Sequence, residues 1–391
     1  MKYAAVLDIG SSKVVSICAG RVGKDGMAVY GAGVRTYSGF RSGRFVDEQE
    51  LVRAITESLD EMQKECGFRI REVAISVPAP FSTLILGTGS VSFSEPKRIT
   101  DADIDMLMNT SIQGEAPEGF SLMHSTPFLY TVDGAVRTDI PDDLPVMEVR
   151  AQVSHYYAND AFLDIVYGVL KDVGLNSICV SSMLSEALML VPSADKLTPW
   201  ILLDVGYTHT DVCVVKNSAV VAQTTINVGG IHFASDLSYG LEVGLPVAEL
   251  VKRRYVFGLD YQDSVELLRT PEGTKSVERA YVQYIIEERA KEFCWLIYEA
   301  MLDMGIKEED TPTVYLTGGG VSMMRGSREY LEHMLGMPIS KDMPWMPRMN
   351  SPVYASAYGA LEFVLNTGNE DALTHQVEVK MLKRLRDFFV K

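Results

Sequence analysis

YAAVLDIGSSKVVSICAG at residues 3–20 and WILLDVGYTHTDVCVVK at residues 200–216 decide the architecture. In each, an apolar run ends at an aspartate (Asp8, Asp204) and a glycine follows two residues later (Gly10, Gly206). Hydroxyl residues come next, and a second apolar run closes the segment. Short apolar runs bounded by turn residues read as buried strands, so each segment predicts two strands around a tight turn. The copies begin about half of the 391-residue chain apart, which predicts an α/β fold of two related halves.

Working outward, helical spacing fills Glu48–Cys66, a strand follows at Glu72–Val77, and Pro78-Ala79-Pro80 marks a boundary. Residues 81–156 read as an inserted α+β unit with strand-like runs and one helix over Asp101–Ser111, capped by its first aspartate. A helix is predicted over 160–173 and a strand over 177–180. Beyond the second hairpin come helical patterns at 233–255 and 276–304, then TPTVYLTGGG at 311–320, a strand running into glycines.

A chain of this length exceeds one hydrophobic core, and 47% hydrophobic with 23% charged residues suits a soluble globular protein. The net charge of −16 argues against non-specific nucleic-acid binding. Residues 380–391 hold five basic side chains and one acid, so a local +4 sits on a body of −20. A basic end on an acidic body predicts a separate partner for that end. The five cysteines are scattered without a CxxC pair, which points to a reducing compartment rather than disulfides or zinc. The first apolar stretch meets Asp8 too soon for a signal peptide, and no run approaches the roughly 20 residues of a membrane span. A cytoplasmic protein with at most peripheral membrane contact is expected.

An aspartate closing a buried strand, followed by glycine and hydroxyl residues, suits a nucleotide site. Glycine lets backbone N–H groups approach phosphate oxygens. Asp8 is placed to hold magnesium through water, and Lys13 to reach phosphates as a point charge. The competing reading of DIGSSK is a plain hairpin turn. Gly318-Gly319-Gly320 lets backbone pass close to a flat ligand or a phosphate, or else forms a flexible turn.

Taken together, these segments resemble the actin-like ATPases, and within them the FtsA family. VLDIGSSKVV is similar to that family's first phosphate loop, and SGFRSGRFVDEQELVRAI to the segment after it. LLDVGYTHTDVCVV stands where the second phosphate loop belongs. INVGGIHFASDLSYGL, VAELVKRRYVFG, VYLTGGGVSMMRG and SPVYASAYGAL follow in family order over almost the whole chain. The resemblance implies a duplicated actin-like (ribonuclease H-like) fold with an inserted subdomain 1C. It divides the chain into 1A at 1–80 and 157–192, 1C at 81–156, 2A at 193–230 and 310–350, and 2B at 231–309. A closing helix of 1A at 351–366, a linker at 367–376 and a membrane-targeting helix at 377–391 complete it.

By the same resemblance, ATP would meet Asp8, Gly10, Ser11, Ser12, Lys13, Asp204, Gly206, Thr208, Thr210, Gly229, Gly230, Gly318, Gly319 and Gly320. Glu249 and Lys252 would take the ribose and adenine, with a solvated ion pair as the plainer alternative, and Asp8 and Asp204 a magnesium ion through water. Arg289 on IIEERAKEF would help to bind the C-terminal tail of FtsZ; a solvent-exposed helix charge is the plainer alternative. Subdomain 1C would contribute to filament contacts and to recruiting later division proteins. The family's second loop reads D-I-G-G-G-T-T-D, whereas here Tyr207, Thr208 and His209 replace Gly, Gly and Thr. A β-carbon at two glycine positions crowds a phosphate, and a tyrosine at positive φ is costly. Weak binding, binding without fast hydrolysis, or a different loop backbone that still takes ATP is therefore expected. His209 reads either as a catalytic base or as an exposed turn residue.

In VEVKMLKRLRDFFVK, Met381, Leu382, Leu385, Phe388 and Phe389 fall within about 120° of a helical wheel, while Lys380, Lys383, Arg384 and Arg386 occupy the rest. Such a helix suits an anionic membrane surface, with the aromatic rings in the acyl boundary; a C-terminal helix packed on the body is the plainer alternative. The function implied is a self-polymerising, membrane-tethered filament that links FtsZ to the inner face of the cell membrane. The competing readings are a pilus-assembly relative, a small-molecule kinase of the same superfamily, and an Hsp70-type chaperone, for which no long substrate domain follows.

Overall fold

The computed structural model describes residues 3–22, 26–141, 144–191, 198–271, 273–307, 309–341 and 351–367. The two opening segments fold as antiparallel hairpins. Tyr3–Ile9 pairs with Lys13–Val22, placing Asp8 opposite Val15, and Trp200–Val205 pairs with Thr210–Lys216, placing Asp204 opposite Asp211. Each hairpin seeds a five-stranded sheet. On its outer flank each adds a third antiparallel strand, Gly26–Thr36 or Ala219–Ile226. On the other flank each adds two parallel strands: Glu72–Val77 then Asn176–Ser181, or Val314–Thr317 then Ile339–Ser340. The halves thus share one strand order and one pattern of directions, as the repeated segments predict.

The central strands are apolar on both faces because helices cover both. Helices Glu48–Cys66 and Asp160–Asp172 close a core on the outer face of the first sheet around Leu7, Ile9, Ile55 and Val166. Between the sheets lie two short helices, Ser182–Leu190 and Ala355–Thr367. They share one core with Val6, Val15 and Ile17 of the first sheet and Leu202, Cys213 and Val220 of the second. The two halves are therefore joined by buried apolar surface rather than by a linker alone.

The inserted segment forms its own four-stranded sheet, ordered Ser82–Lys97, Val146–Asn159, Phe120–Val132, Ala135–Arg137, with helix Asp101–Ser111 on one face. The helix is capped by Thr100 rather than by Asp101, and the Asp103 carboxylate reaches back to accept the Thr100 N–H at 2.9 Å. The insert contacts both halves. His124 Nε2 accepts from the Ser181 N–H at 3.2 Å, and the Tyr156 hydroxyl accepts from the Val220 N–H at 3.0 Å.

Two helical expectations change. The pattern at 233–255 resolves into Gly230–Gly240 and Leu245–Arg254, because Gly244 and Pro246 start a new helix. The long helix begins at Arg279, not 276, because Gly273–Glu278 pairs with Val265–Thr270 as a hairpin. The basic C-terminal segment lies outside the described residues.

Candidate functional site

Both hairpin turns open at the same place, a cleft of about 420 Å³ between the halves. From the first half come Asp8, Gly10, Ser11, Ser12 and Lys13, and from the second Asp204, Gly206, Gly230, Glu249, Lys252 and Gly318 to Gly320. Thirteen of the sixteen positions singled out from the sequence thus line one cleft. Thr208, Thr210 and Gly229 are the exceptions. The Thr210 hydroxyl donates to the Val228 carbonyl at 2.7 Å, and Gly229 caps the helix Gly230–Gly240. Thr208 ties the two turns together, its N–H donating to Ser11 Oγ at 3.2 Å and its hydroxyl to the Phe40 carbonyl at 3.2 Å.

The crowding expected of the second turn does not arise as backbone strain. Tyr207, Thr208 and His209 are absent from the left-handed region, whose non-glycine members are Ser42, Asp133, Asn217, Ser218, Glu242 and Asp263. The turn instead takes an ordinary backbone held by neighbouring segments: Gly230 N–H donates to the Gly206 carbonyl at 3.0 Å, and Gly320 N–H to the Val205 carbonyl at 2.7 Å. This close approach explains Gly320. A β-carbon there would lie 2.3 Å from the Gly206 oxygen. Gly318 has both φ +80 and a β-carbon site 2.2 Å from Asp204 Oδ1, so two independent constraints require glycine.

Electrostatically the cleft floor is acidic. Burial pushes the Asp204 carboxyl up to about 7, reinforced by the nearby Asp211 charge and opposed by His209 and Lys13. Burial also raises Asp8, whose Oδ1 accepts the Ser356 hydroxyl at 2.6 Å. Behind them, Glu186 is fully buried, and burial, then the charges of Asp204, Asp8 and Asp211, raise its carboxyl well above the ordinary range. Its Oε2 accepts from the Thr317 hydroxyl at 3.3 Å, while Oε1 is buried without a hydrogen-bond partner. Burial lowers the Lys13 ammonium, opposed by Asp8 and Asp204.

His209 is neither free nor fully exposed. Nε2 lies 3.3 Å from Asp211 Oδ2, and Nδ1 lies 3.2 Å from the Thr208 hydroxyl. Burial works to lower its pKa, but the Asp211 charge and hydrogen bond outweigh that and raise it. At the far wall Lys252 is buried, pairs with Glu249 at 2.7 Å and donates to the Gly230 carbonyl at 3.0 Å. This is a buried pair rather than a solvated one. Sequence reasoning missed Phe40, Arg253, Val353 and Ser356, which also line the cleft. Ser356 lay within SPVYASAYGAL, but nothing in that stretch signals that its hydroxyl meets Asp8.

Arg289 lies elsewhere, on the helix Arg279–Asp303. Its guanidinium grips Asp236 with two hydrogen bonds, 2.5 and 3.0 Å, and meets Glu292 at 2.5 Å. The side chain is 20% exposed. Tyr281 and Tyr284 of the same helix are exposed.

Residues 201–359 match the family model described as "Cell division protein FtsA". The chain is 24% identical over 370 residues to the cell division protein FtsA of Bacillus subtilis, covering 91% of this chain and 82% of that protein. It is 23% identical over 372 residues to FtsA of Neisseria meningitidis, covering 92% and 89%. The chain is thus similar to FtsA proteins over nearly its whole length. Its fold is that of the actin-like ATPases. A solved PilM–PilN type IV pilus biogenesis complex has a chain that superposes with a TM-score of 0.59 at 17% identity, over 92% of this chain and 98% of that one. MreB5 of Spiroplasma citri bound to ADP superposes with a TM-score of 0.54 at 13% identity, over 93% and 96%. This similarity to FtsA agrees with the order of motifs along the sequence. Among the described residues no helix is long and apolar enough to cross a membrane.

Proposed function

We propose that this chain acts as an FtsA: it binds ATP between its halves, polymerises, and tethers FtsZ filaments of the division ring to the inner face of the cell membrane. The observation that carries the nucleotide part is the convergence of both hairpin turns, Lys13, the buried Glu249–Lys252 pair and the three-glycine loop on one cleft. Glycines at the closest backbone approaches and a lysine among carboxylates are what a polyphosphate needs. MreB5, of the same fold, has been solved with ADP and with AMPPNP.

Magnesium fits the donor set. Burial raises both Asp8 and Asp204, and the Asp8 charge adds to the rise at Asp204, so a divalent cation between them would be favoured. Among the described residues no three carboxylate, imidazole or thiol groups form a direct metal cage. Asp8 and Asp204 would therefore hold the ion through water, as hard oxygen donors do for magnesium. The ion's chemistry would be to neutralise phosphate charge.

The membrane part rests on the sequence of the last 15 residues, a basic amphipathic pattern with Phe388 and Phe389 on its apolar side. One such helix binds weakly, so polymerisation would strengthen attachment through multivalency. Partners in this reading are the FtsZ tail, further copies of the chain, anionic lipid and later division proteins through the inserted sheet. Sedimentation with anionic vesicles tests it, comparing the full chain with one ending at Gln376, with and without ATP. Pelleting of the full chain alone, enhanced by ATP, is the expected result. If both chains stay in solution, the tether reading fails and a pilus-type role gains ground.

A further inference from the structure

We infer that Tyr354 is a positioning residue for Lys13, holding its ammonium ready for the phosphates of a nucleoside polyphosphate; this rests on the nucleotide reading above. Lys13 Nζ lies 4.3 Å from the centroid of the Tyr354 ring. The two residues are more than 300 positions apart in sequence, and they meet because the turn Pro352–Tyr354 and the helix Ala355–Thr367 close over the first hairpin. Pro352, Val353, Ala355 and Ser356 all line the cleft, so the turn bearing Tyr354 forms part of its wall.

The turn and the first residues of the helix after it hold the first hairpin at two points. The Tyr354 ring takes the ammonium of Lys13, and the Ser356 hydroxyl donates to Asp8 Oδ1 at 2.6 Å. The two contacts differ in what they consume. A hydrogen bond to Lys13 would use one of its three N–H donors. A ring face attracts the cation through its quadrupole without a directed acceptor, leaving the N–H groups that point away from the ring for phosphate oxygens. A lysine side chain also carries much rotamer freedom, which a bound polyphosphate would otherwise have to remove. Fixing the ammonium in advance lowers that cost and so raises affinity without any direct contact between the ring and the ligand.

The consequence is selective. Only ligands that engage Lys13 gain, so ATP and ADP benefit while adenosine does not. Equilibrium binding of ATP and of adenosine to the full chain tests this with Tyr354→Phe and Tyr354→Leu. Tyr354→Leu keeps bulk and loses the π face; Tyr354→Phe keeps the face and loses the hydroxyl. The expected result is ATP affinity about threefold to tenfold weaker in the leucine variant, near the wild-type value in the phenylalanine variant, and unchanged adenosine affinity in both. Equal ATP affinity in wild type and Tyr354→Leu overturns the inference. So does a parallel loss for adenosine, which would mark a merely structural role for the ring. Wild-type protein that binds adenosine but gains nothing from phosphates overturns it as well. If the wild type binds neither ligand, the nucleotide reading itself falls and takes this inference with it.

Discussion

Replacing Gly320 with alanine adds one methyl group at the tightest backbone crossing in the second half of the cleft. The new carbon would stand 2.3 Å from the Gly206 oxygen, 2.8 Å from the Val205 oxygen and 2.9 Å from Val205 Cγ1. An ordinary contact is about 3.4 Å or more, so the glycine loop has to retreat by roughly 1 Å. The φ of Gly320 is not in the left-handed region, so the whole cost is contact rather than backbone strain. Retreat lengthens the Gly320 N–H to Val205 hydrogen bond, now 2.7 Å, and tilts Gly318 and Gly319 away from the opposite wall. Overpacking of this kind costs about 1–3 kcal/mol, and loss of the buried hydrogen bond adds about 1 kcal/mol. A total near 3 kcal/mol is expected in urea unfolding, with ATP affinity reduced at least tenfold by titration. Gly168 supplies the control. It lies exposed on the helix Asp160–Asp172 with nothing within 4 Å of its β-carbon site, so Gly168→Ala should stabilise by about 0.5–1 kcal/mol through helix propensity. If Gly320→Ala matches Gly168→Ala in stability and ATP affinity, the backbone-on-backbone account of the glycine loop is wrong.

Ser11→Ala removes the acceptor of the buried Thr208 N–H, which should cost about 1–3 kcal/mol and loosen the two turns; amide exchange at Thr208 as slow as in wild type would contradict this. Stability should also depend on pH through His124, which burial pushes down to about 3 and which is therefore neutral in the folded state. Below pH 6.5 the unfolded chain binds a proton that the folded chain does not, so this contribution is complete above pH 6.5 and is lost as pH falls toward 3. The loss is about 1.4 kcal/mol per pH unit inside that window, and His124→Gln should flatten the curve by that slope; parallel curves for the two proteins would refute the assignment. Arg289→Ala should weaken binding of an FtsZ tail peptide about tenfold in fluorescence anisotropy, with unchanged affinity assigning Arg289 wholly to its Asp236 pair.

How much of this was legible in the sequence differs by element, for physical reasons. The duplicated hairpins were plain because a buried strand, an aspartate and a glycine turn leave a local signature, and the copies repeat it. Helices Glu48–Cys66 and Asp101–Ser111 were equally plain from their spacing. The hairpin Val265–Glu278 was not, because short exposed strands with polar residues on both faces carry little periodicity. At the site, the residues on the two turns and the glycine loop could be named since each stands in a local motif. Their partners could not. Ser356 meets Asp8 from 348 residues away, Thr317 meets Glu186 across 131, and Thr208 meets Ser11 across 197.

These long-range contacts bear on the substituted second loop. A glycine-rich turn offers bare N–H groups to a phosphate. Here Thr208 commits its N–H to Ser11 and its hydroxyl to Phe40, and His209 commits to Asp211. Of the substituted residues, Thr208 therefore fastens the two halves together at the cleft, and its N–H and hydroxyl are already engaged in that contact. On the proposed nucleotide reading, ATP should bind with slow hydrolysis; phosphate release as fast as in a turn with free donors, at equal ATP affinity, would contradict this.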